Sequence, residues 1–444
     1  MSGFRTGLRA AVSAALLVCG VASGAVAQTA APASGTLPGG VAYEVRPDRA
    51  QSGAAVALWF RAPAGGFDAP AAPGLSRLAA ATVSASTPIS GTPLAQLVER
   101  FGGRLFLAAY PDSVAITALV PPDRVAQTVR AMTADYFAPV VTAVGFAVAR
   151  RDVGEDALLR SVEPDAIEDA LGAALFASGP FHDGTIPTPA LGDVTVERVR
   201  AFAERAFRPA NAILILAGNV DSATLGSVAA RSGDTSSAAP EPAVASAPAP
   251  RSAGTEPLLR TGIITGTGLG WLGPPIADEA AATALDFLAD ALFAPKTGSV
   301  AKALGTRKAS VTGKFVTYHD PGVFLVTITG DDAAAARPIV EKAIAAAATP
   351  MTAGAFDAAR AGFVYRLLAA MESPSDAADT FGWYAVEGDT AYAPAEGGLQ
   401  GRYFSLAATL TPASVAQAAA RYLGAPPAVV TFAKHPPAPP KAPA

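Results

Sequence analysis

Apolar and polar positions along this chain fall into two successive, similar series. In the first, Val41, Tyr43 and Val45 alternate with other residues, and 54–60 is a continuous apolar run; both patterns predict strands. A Gly/Pro-rich loop over 64–73 then leads to Gly74, where a helix should begin. Helical spacing returns at Leu94, Leu97, Val98 and Phe101 and stops at Gly102 and Gly103. Residues 105–109 and 113–120 predict a hairpin that turns at Tyr110, Pro111 and Asp112. Two longer helical periods follow, over 122–136 (Val125, Val129, Met132) and 148–176 (Leu158, Ile167, Leu171, Leu175). Thr195 is a ready N-cap for a helix over 196–207, and the apolar run from Ile213 closes the series.

The order then repeats. Strands are expected around 262–272, a helix over 279–292, a short helix near Val300, and strands over 314–318 and 323–329. Helices over 333–348 and 352–371, a last helix from Thr411 to Tyr422 and a final strand over 428–433 complete it. Between the series, residues 232–257 are rich in Pro, Ala and Ser and hold no aromatic residue, which reads as an extended linker. The pattern predicts an α+β protein of two homologous domains, each a mainly antiparallel sheet with helices packed on one face. The expected boundaries are 37–231 and 258–434, with the linker at 232–257 and a disordered Pro-rich tail at 435–444.

Composition narrows the setting. At 444 residues and 51% hydrophobic, the chain has enough apolar material for two sizeable cores. Residues 1–27 carry Arg5 and Arg9, then an apolar run, and end Ala25-Val26-Ala27, the pattern of a secretory signal peptide rather than a membrane span. Its removal takes two positive charges from a formal net charge of −4 and leaves −6. That balance disfavours nucleic acid and anionic lipid surfaces as partners. The single cysteine, Cys19, lies inside the signal, so the mature chain has neither disulfides nor a thiol nucleophile. Val18 precedes it where a lipoprotein cysteine normally follows a small residue, which argues against a lipid anchor. An exported chain of this kind fits the periplasm.

Candidate chemistry is sparse. The three histidines, His182, His319 and His435, share no short spacing, so no histidine-based metal site can be read. Gly266-Thr-Gly-Leu-Gly270 has the glycine content of a nucleotide loop, but Pro274 and Pro275 follow and no helix can start there.

From about Leu37 to Ala433 the chain resembles the insulinase/pitrilysin family of zinc metallopeptidases. The opening Leu37-Pro-Gly-Gly40 is similar to the family's L-P-N-G, and Phe207-Arg-Pro-Ala-Asn211 with Gly218-Asn-Val-Asp221 is similar to its R-P-x-N strand and G-D-V-D turn. Phe381-Gly-Trp-Tyr384 and Glu387-Gly-Asp389 resemble its second-domain helices. The family's catalytic motif reads roughly G-L-A-H-x-x-E-H, in which two histidines on one helical face hold zinc and the glutamate activates the bound water. Here the corresponding residues are Arg77, Ala80 and Ala81, and only the third ligand position, Glu155, retains a carboxylate.

The resemblance implies a half-clamshell pseudo-peptidase with no zinc of its own, acting as the non-catalytic partner of a zinc-bearing homologue around a peptide-binding chamber. It also implies substrate contacts at Gly102, Gly103 and Phe106 on a sheet edge, and at Lys302 or Arg307 in place of the family's carbonyl-gripping Arg and Tyr. Two alternatives remain open at this point: a stand-alone periplasmic peptide binder or scaffold, and an active metalloendopeptidase with a relocated site.

Overall fold

The structure, a computed structural model, describes residues 33–37, 40–61, 73–87, 91–183, 192–220, 250–251, 258–261, 264–388 and 398–433, without the side chains of 261 and 398–402. The expected signal segment (1–27), most of the 64–73 loop, most of the expected 232–257 linker and the expected tail (435–444) lie outside the described residues.

The first half runs β1 (Ala33–Thr36), β2 (Ala42–Pro47), β3 (Ala54–Arg61), α1 (Leu75–Ala85), α2 (Leu94–Arg100), β4 (Arg104–Ala109) and β5 (Ser113–Val120). It continues with α3 (Val125–Phe137), α4 (Ala143–Ser161), α5 (Asp165–Leu175), α6 (Pro180–Asp183), α7 (Val196–Ala206) and β6 (Ala212–Gly218). Its six strands form one sheet in the order β1-β2-β6-β3-β5-β4, antiparallel except for the β2–β6 pair. In central β3 the odd and even side chains are all buried, because both faces of the sheet are covered; hence the continuous apolar run. Val56, Leu58 and Phe60 point into a core shared with Leu78, Met132, Tyr136 and Phe202 of α1, α3 and α7.

The second half repeats the path with β7 (Leu258–Thr261), β8 (Gly266–Leu272), α8 (Glu279–Phe293), α9 (Ser299–Leu304), β9 (Ser310–Val316) and β10 (Val323–Thr329). Then come α10 (Ala333–Ala346), α11 (Ala353–Ala369), α12 (Pro374–Glu387), α13 (Gly398–Thr409), α14 (Pro412–Tyr422) and β11 (Ala428–Ala433). The sheet order β7-β11-β8-β10-β9 matches β2-β6-β3-β5-β4 strand for strand, including a parallel first pair. The mainly antiparallel α+β organisation expected from the pattern is therefore present in both halves.

Each sheet carries on its other face a helix from the opposite half. On the first sheet, Ala377, Ala378 and Phe381 of α12 pack on Ala55, Ala57, Trp59, Ile213 and Ile215. On the second, Ile167, Leu171 and Leu175 of α5 pack with Val323, Leu325, Val430 and Phe432. The seat for α5 is made by the alternating glycines of β8: a Cβ added at Gly268 would lie 2.8 Å from Ile167 and 3.0 Å from Leu171. With a period of two, Gly266, Gly268 and Gly270 leave one strand face bare while Leu269 and Trp271 fill the core on the other. The glycine-rich stretch is thus a helix seat, and a strand rather than a loop. In the first half the glycine is on the helix instead, where a Cβ at Gly382 would fall 1.9 Å from the Trp59 indole nitrogen.

Two elements differ from the sequence reading. The helical period over 148–176 is broken between α4 and α5, where Pro164 precedes the first residue of α5 and cannot continue the preceding helix. That break frees α5 to cross to the second sheet. At the far end of the expected linker, Pro250 bridges Phe176, the Arg251 amide donates to the Leu175 carbonyl at 2.8 Å and its guanidinium to the Ala173 carbonyl at 3.0 Å. These two residues are fastened to the C-terminal end of α5.

Candidate functional site

Helix α1 begins after Gly74, which adopts φ 81°, a left-handed conformation that costs glycine little. Leu75, Leu78, Ala79, Ala80, Ala81 and Val83 are all buried, against α4 and α7 among others. Small residues at 79–81 let the neighbouring helices approach, and the Tyr136 hydroxyl donates to the Ala80 carbonyl at 2.9 Å. The positions that the resemblance equates with a catalytic base and a zinc ligand are therefore methyl groups, 1% and 8% exposed. Arg77 lies at the edge of this core, and its Nη2 donates to Asp156 Oδ2 of α4 at 2.7 Å.

Glu155 does not reach α1. Its side chain is 70% exposed and stands 3.9 Å from Arg151, a solvent-screened surface pair. The carboxylate that α4 sends to α1 is that of Asp156, one residue on. Zinc needs about three protein donors converging at roughly 2 Å. A guanidinium, two buried methyls and an outward carboxylate do not fit it. Among the described residues no group of three or more His, Cys, Asp or Glu is placed to hold a metal ion.

Arg77 opens instead onto a cleft of about 390 Å³ between the halves. Its walls include Leu107, Ala108 and Ala109 of β4 and Lys314 and Val316 of β9, the edge strands of the two sheets. Its floor is charged but internally balanced. Arg160 grips Asp169 with two bonds of 2.8 Å and Asp165 with one of 2.9 Å, while Lys314 Nζ lies 2.6 Å from Glu168 across the seam. Burial pushes the Asp169 pKa up even though Arg160 opposes the shift. The remaining wall is aromatic, with the Tyr110 and Trp383 rings edge-on at 4.7 Å and the Tyr318 ring 5.5 Å from Trp383.

The other positions of interest are distributed as follows. Gly102 takes φ 77° and ends α2, and a Cβ at Gly103 would come within 2.4 Å of the Leu119 carbonyl, so these glycines set β4 against β5. Phe106 is 47% exposed on β4 and lines a second groove, of about 280 Å³, with Asp376 and Asp379 of α12. Lys302 is exposed on α9, Arg307 donates to the Leu304 carbonyl at 3.0 Å, and neither lines these two clefts. The cleft thus brings Arg77 and β4 of the first half together with β9 of the second; Lys302 and Arg307 do not line it.

Residues 193–363, from the end of the first half into the second, match the family model described as the peptidase M16 inactive domain. That is the insulinase-type family. Over about nine-tenths of its length the chain shares the fold of several solved structures. A protease from Helicobacter pylori superposes with a TM-score of 0.76 at 17% identity, covering 90% of this chain and 98% of that one. A peptidase M16 inactive domain from Pseudomonas fluorescens gives 0.74 at 17% identity, covering 91% and 98%. A chain of Complex III2 from Candida albicans gives 0.73 at 10% identity, covering 90% and 95%. Among curated proteins none matches.

On this fold the chain has two sheets, an interhalf cleft and a β4 edge, and the first half carries arginine and alanine at the positions that the resemblance equates with the motif. Sequence reading missed three contributors: Asp156, the charge cluster at Arg160, and the aromatic wall from Tyr110, Tyr318 and Trp383. Each depends on which residues of distant segments meet at the seam. The sequence marks Tyr110 as a turn residue and Trp383 and Tyr384 for their likeness to the family, but not that these aromatics meet.

Proposed function

We propose that this protein is an exported, non-catalytic M16-type subunit that partners a zinc-bearing homologue and helps enclose an extended peptide. The observation that carries the reading is the filling of the motif positions: Ala80 and Ala81 are core residues and Arg77 is tied to Asp156, on a fold otherwise intact. Enclosure without chemistry is what such a chain retains. β4, the terminal strand of its sheet among the described residues, offers main-chain groups to an added strand, a mode that tolerates many side chains. Beside it, Phe106 with Asp376 and Asp379 favours a peptide that presents a basic or aromatic side chain to the α12 face. Support for assembly comes from the fold neighbour in Complex III2. The signal-like residues 1–27 support a periplasmic location.

Co-expression with the zinc homologue of the same genome tests the reading. Co-elution of the two chains on gel filtration is expected, with an interface of at least about 1,000 Å². Peptide cleavage by the pair should exceed that of the homologue alone. Separate elution with unchanged cleavage would leave a stand-alone peptide binder as the better account.

A further inference from the structure

Asp112 sits in the turn between β4 and β5, and Glu387 is the last residue of α12, so the two carboxyls meet across the seam between the halves. Glu387 is 1% exposed. Its Oε2 accepts the His319 amide at 2.8 Å, its main-chain carbonyl faces His319 Nδ1 at 3.0 Å, and Ser113 Oγ lies 3.4 Å from Oε1. Asp112 is partly buried, with Oδ1 sealed from solvent and no N–H or hydroxyl donor to it. A sealed carboxylate oxygen without a donor is costly. Two carboxyls in hydrogen-bonding reach satisfy each other only if one keeps its proton, and the donor missing from Asp112 is then the acid proton of Glu387.

We propose that Asp112 and Glu387 form a shared-proton latch that holds the two halves closed on the cleft, and that release of the proton to water loosens the seam. Tyr110 and Tyr318, which wall the cleft with Trp383, are close enough to Glu387 to feel its charge, so a change at the latch is felt where the cleft opens. Among the described residues, Ser113 and Tyr110 of the hairpin and His319 and Tyr318 of the β9–β10 connection face the pair, while Asp379 of α12 acts on Tyr110. From β3, Arg61 donates to the Ala385 carbonyl beside Glu387. From α5, Glu168 acts on Tyr318 and is itself paired with Lys314.

Burial is the leading cause in both carboxyls, pushing Asp112 up to about 6 and Glu387 well above its ordinary range, further raised by the Asp112 charge. Folded pKa values above the unfolded ones mean that the folded state holds protons the unfolded state has lost. The stabilising contribution is therefore complete below about pH 4 and is lost progressively as pH rises through about 6 and beyond.

The test compares the whole mature chain with its Glu387→Gln variant by urea unfolding midpoint and by hydrogen exchange of segments 108–116, 316–320 and 383–388, corrected for intrinsic rate, at pH 5 and pH 8. Glutamine keeps an oxygen for the His319 amide and supplies a permanent donor to Asp112. The native chain should lose midpoint and seam protection between pH 5 and pH 8, and the variant should lose less than half as much. An Asp112→Asn variant, which removes the charge from the other side, should show the same flattening. Equal pH dependence in all three chains, or seam protection in the native chain that does not change with pH, would overturn the latch.

Discussion

Leu171→Ala should destabilise the protein by about 2–5 kcal/mol, the range for emptying a buried leucine site. Leu171 is 0% exposed and fills the bare face of β8 above Gly268 and Gly270. No β8 side chain on that face can relax into the hole, which places the cost in the upper part of the range. Its location makes the result diagnostic. Leu171 belongs to the first half by sequence, yet its neighbours Val323, Leu325, Val430 and Phe432 are in the second sheet. Urea unfolding should show the loss, and hydrogen exchange should show it as faster exchange in β8, β10 and β11. Weakened protection confined to 37–220 would mean that α5 does not dock across the halves.

Ala80→Glu, the single change that returns a carboxylate to the base position of the family motif, should cost at least about 3 kcal/mol. The side chain would replace a methyl that is 1% exposed, next to a carbonyl already bonded to Tyr136, with no cation among the described residues of the α1 core to meet it. Arg77→Ala, by contrast, should cost no more than about 1 kcal/mol, because its partner Asp156 is 59% exposed and rehydrates. Chemical denaturation of the two variants side by side checks the contrast. A small loss for Ala80→Glu would mean that the α1 core has room for the lost chemistry and that the motif could be restored with little rebuilding.

The periodic elements were legible because each buries one stripe or one face. Val125, Val129 and Met132 announced α3, and the alternation of 41, 43 and 45 announced β2, as the structure has them. The two-sheet repeat was also legible, since element order survives even where side chains diverge. What α5 and α12 pack against was not. The stripe Ile167, Leu171 and Leu175 says that a face is buried, without saying by which sheet. The complementary signal was present in Gly266, Gly268 and Gly270 of the expected strand, but a period-two glycine row does not say which helix fills its bare face.

The candidate site was legible as an absence more than as an arrangement. Arg77, Ala80 and Ala81 announced a lost metal motif, and the structure adds that the last two are packed core. The choice between Glu155 and Asp156 was beyond the sequence, because neighbouring positions on a helix point about 100° apart and only the position of α1 decides which carboxylate meets Arg77. The meeting of Asp112 with Glu387 was further out of reach: it is made by a hairpin turn and a helix end from opposite halves.

The most direct test of the central claim is the zinc content and peptidase activity of the purified mature chain by itself, at neutral pH, with and without chelator. Far less than one zinc per chain and no chelator-sensitive cleavage of unstructured peptides are expected, since among the described residues no set of donors stands in for the motif positions Arg77, Ala80 and Ala81. One zinc per chain together with cleavage that a chelator abolishes would contradict it and restore the reading of an active peptidase with a relocated site.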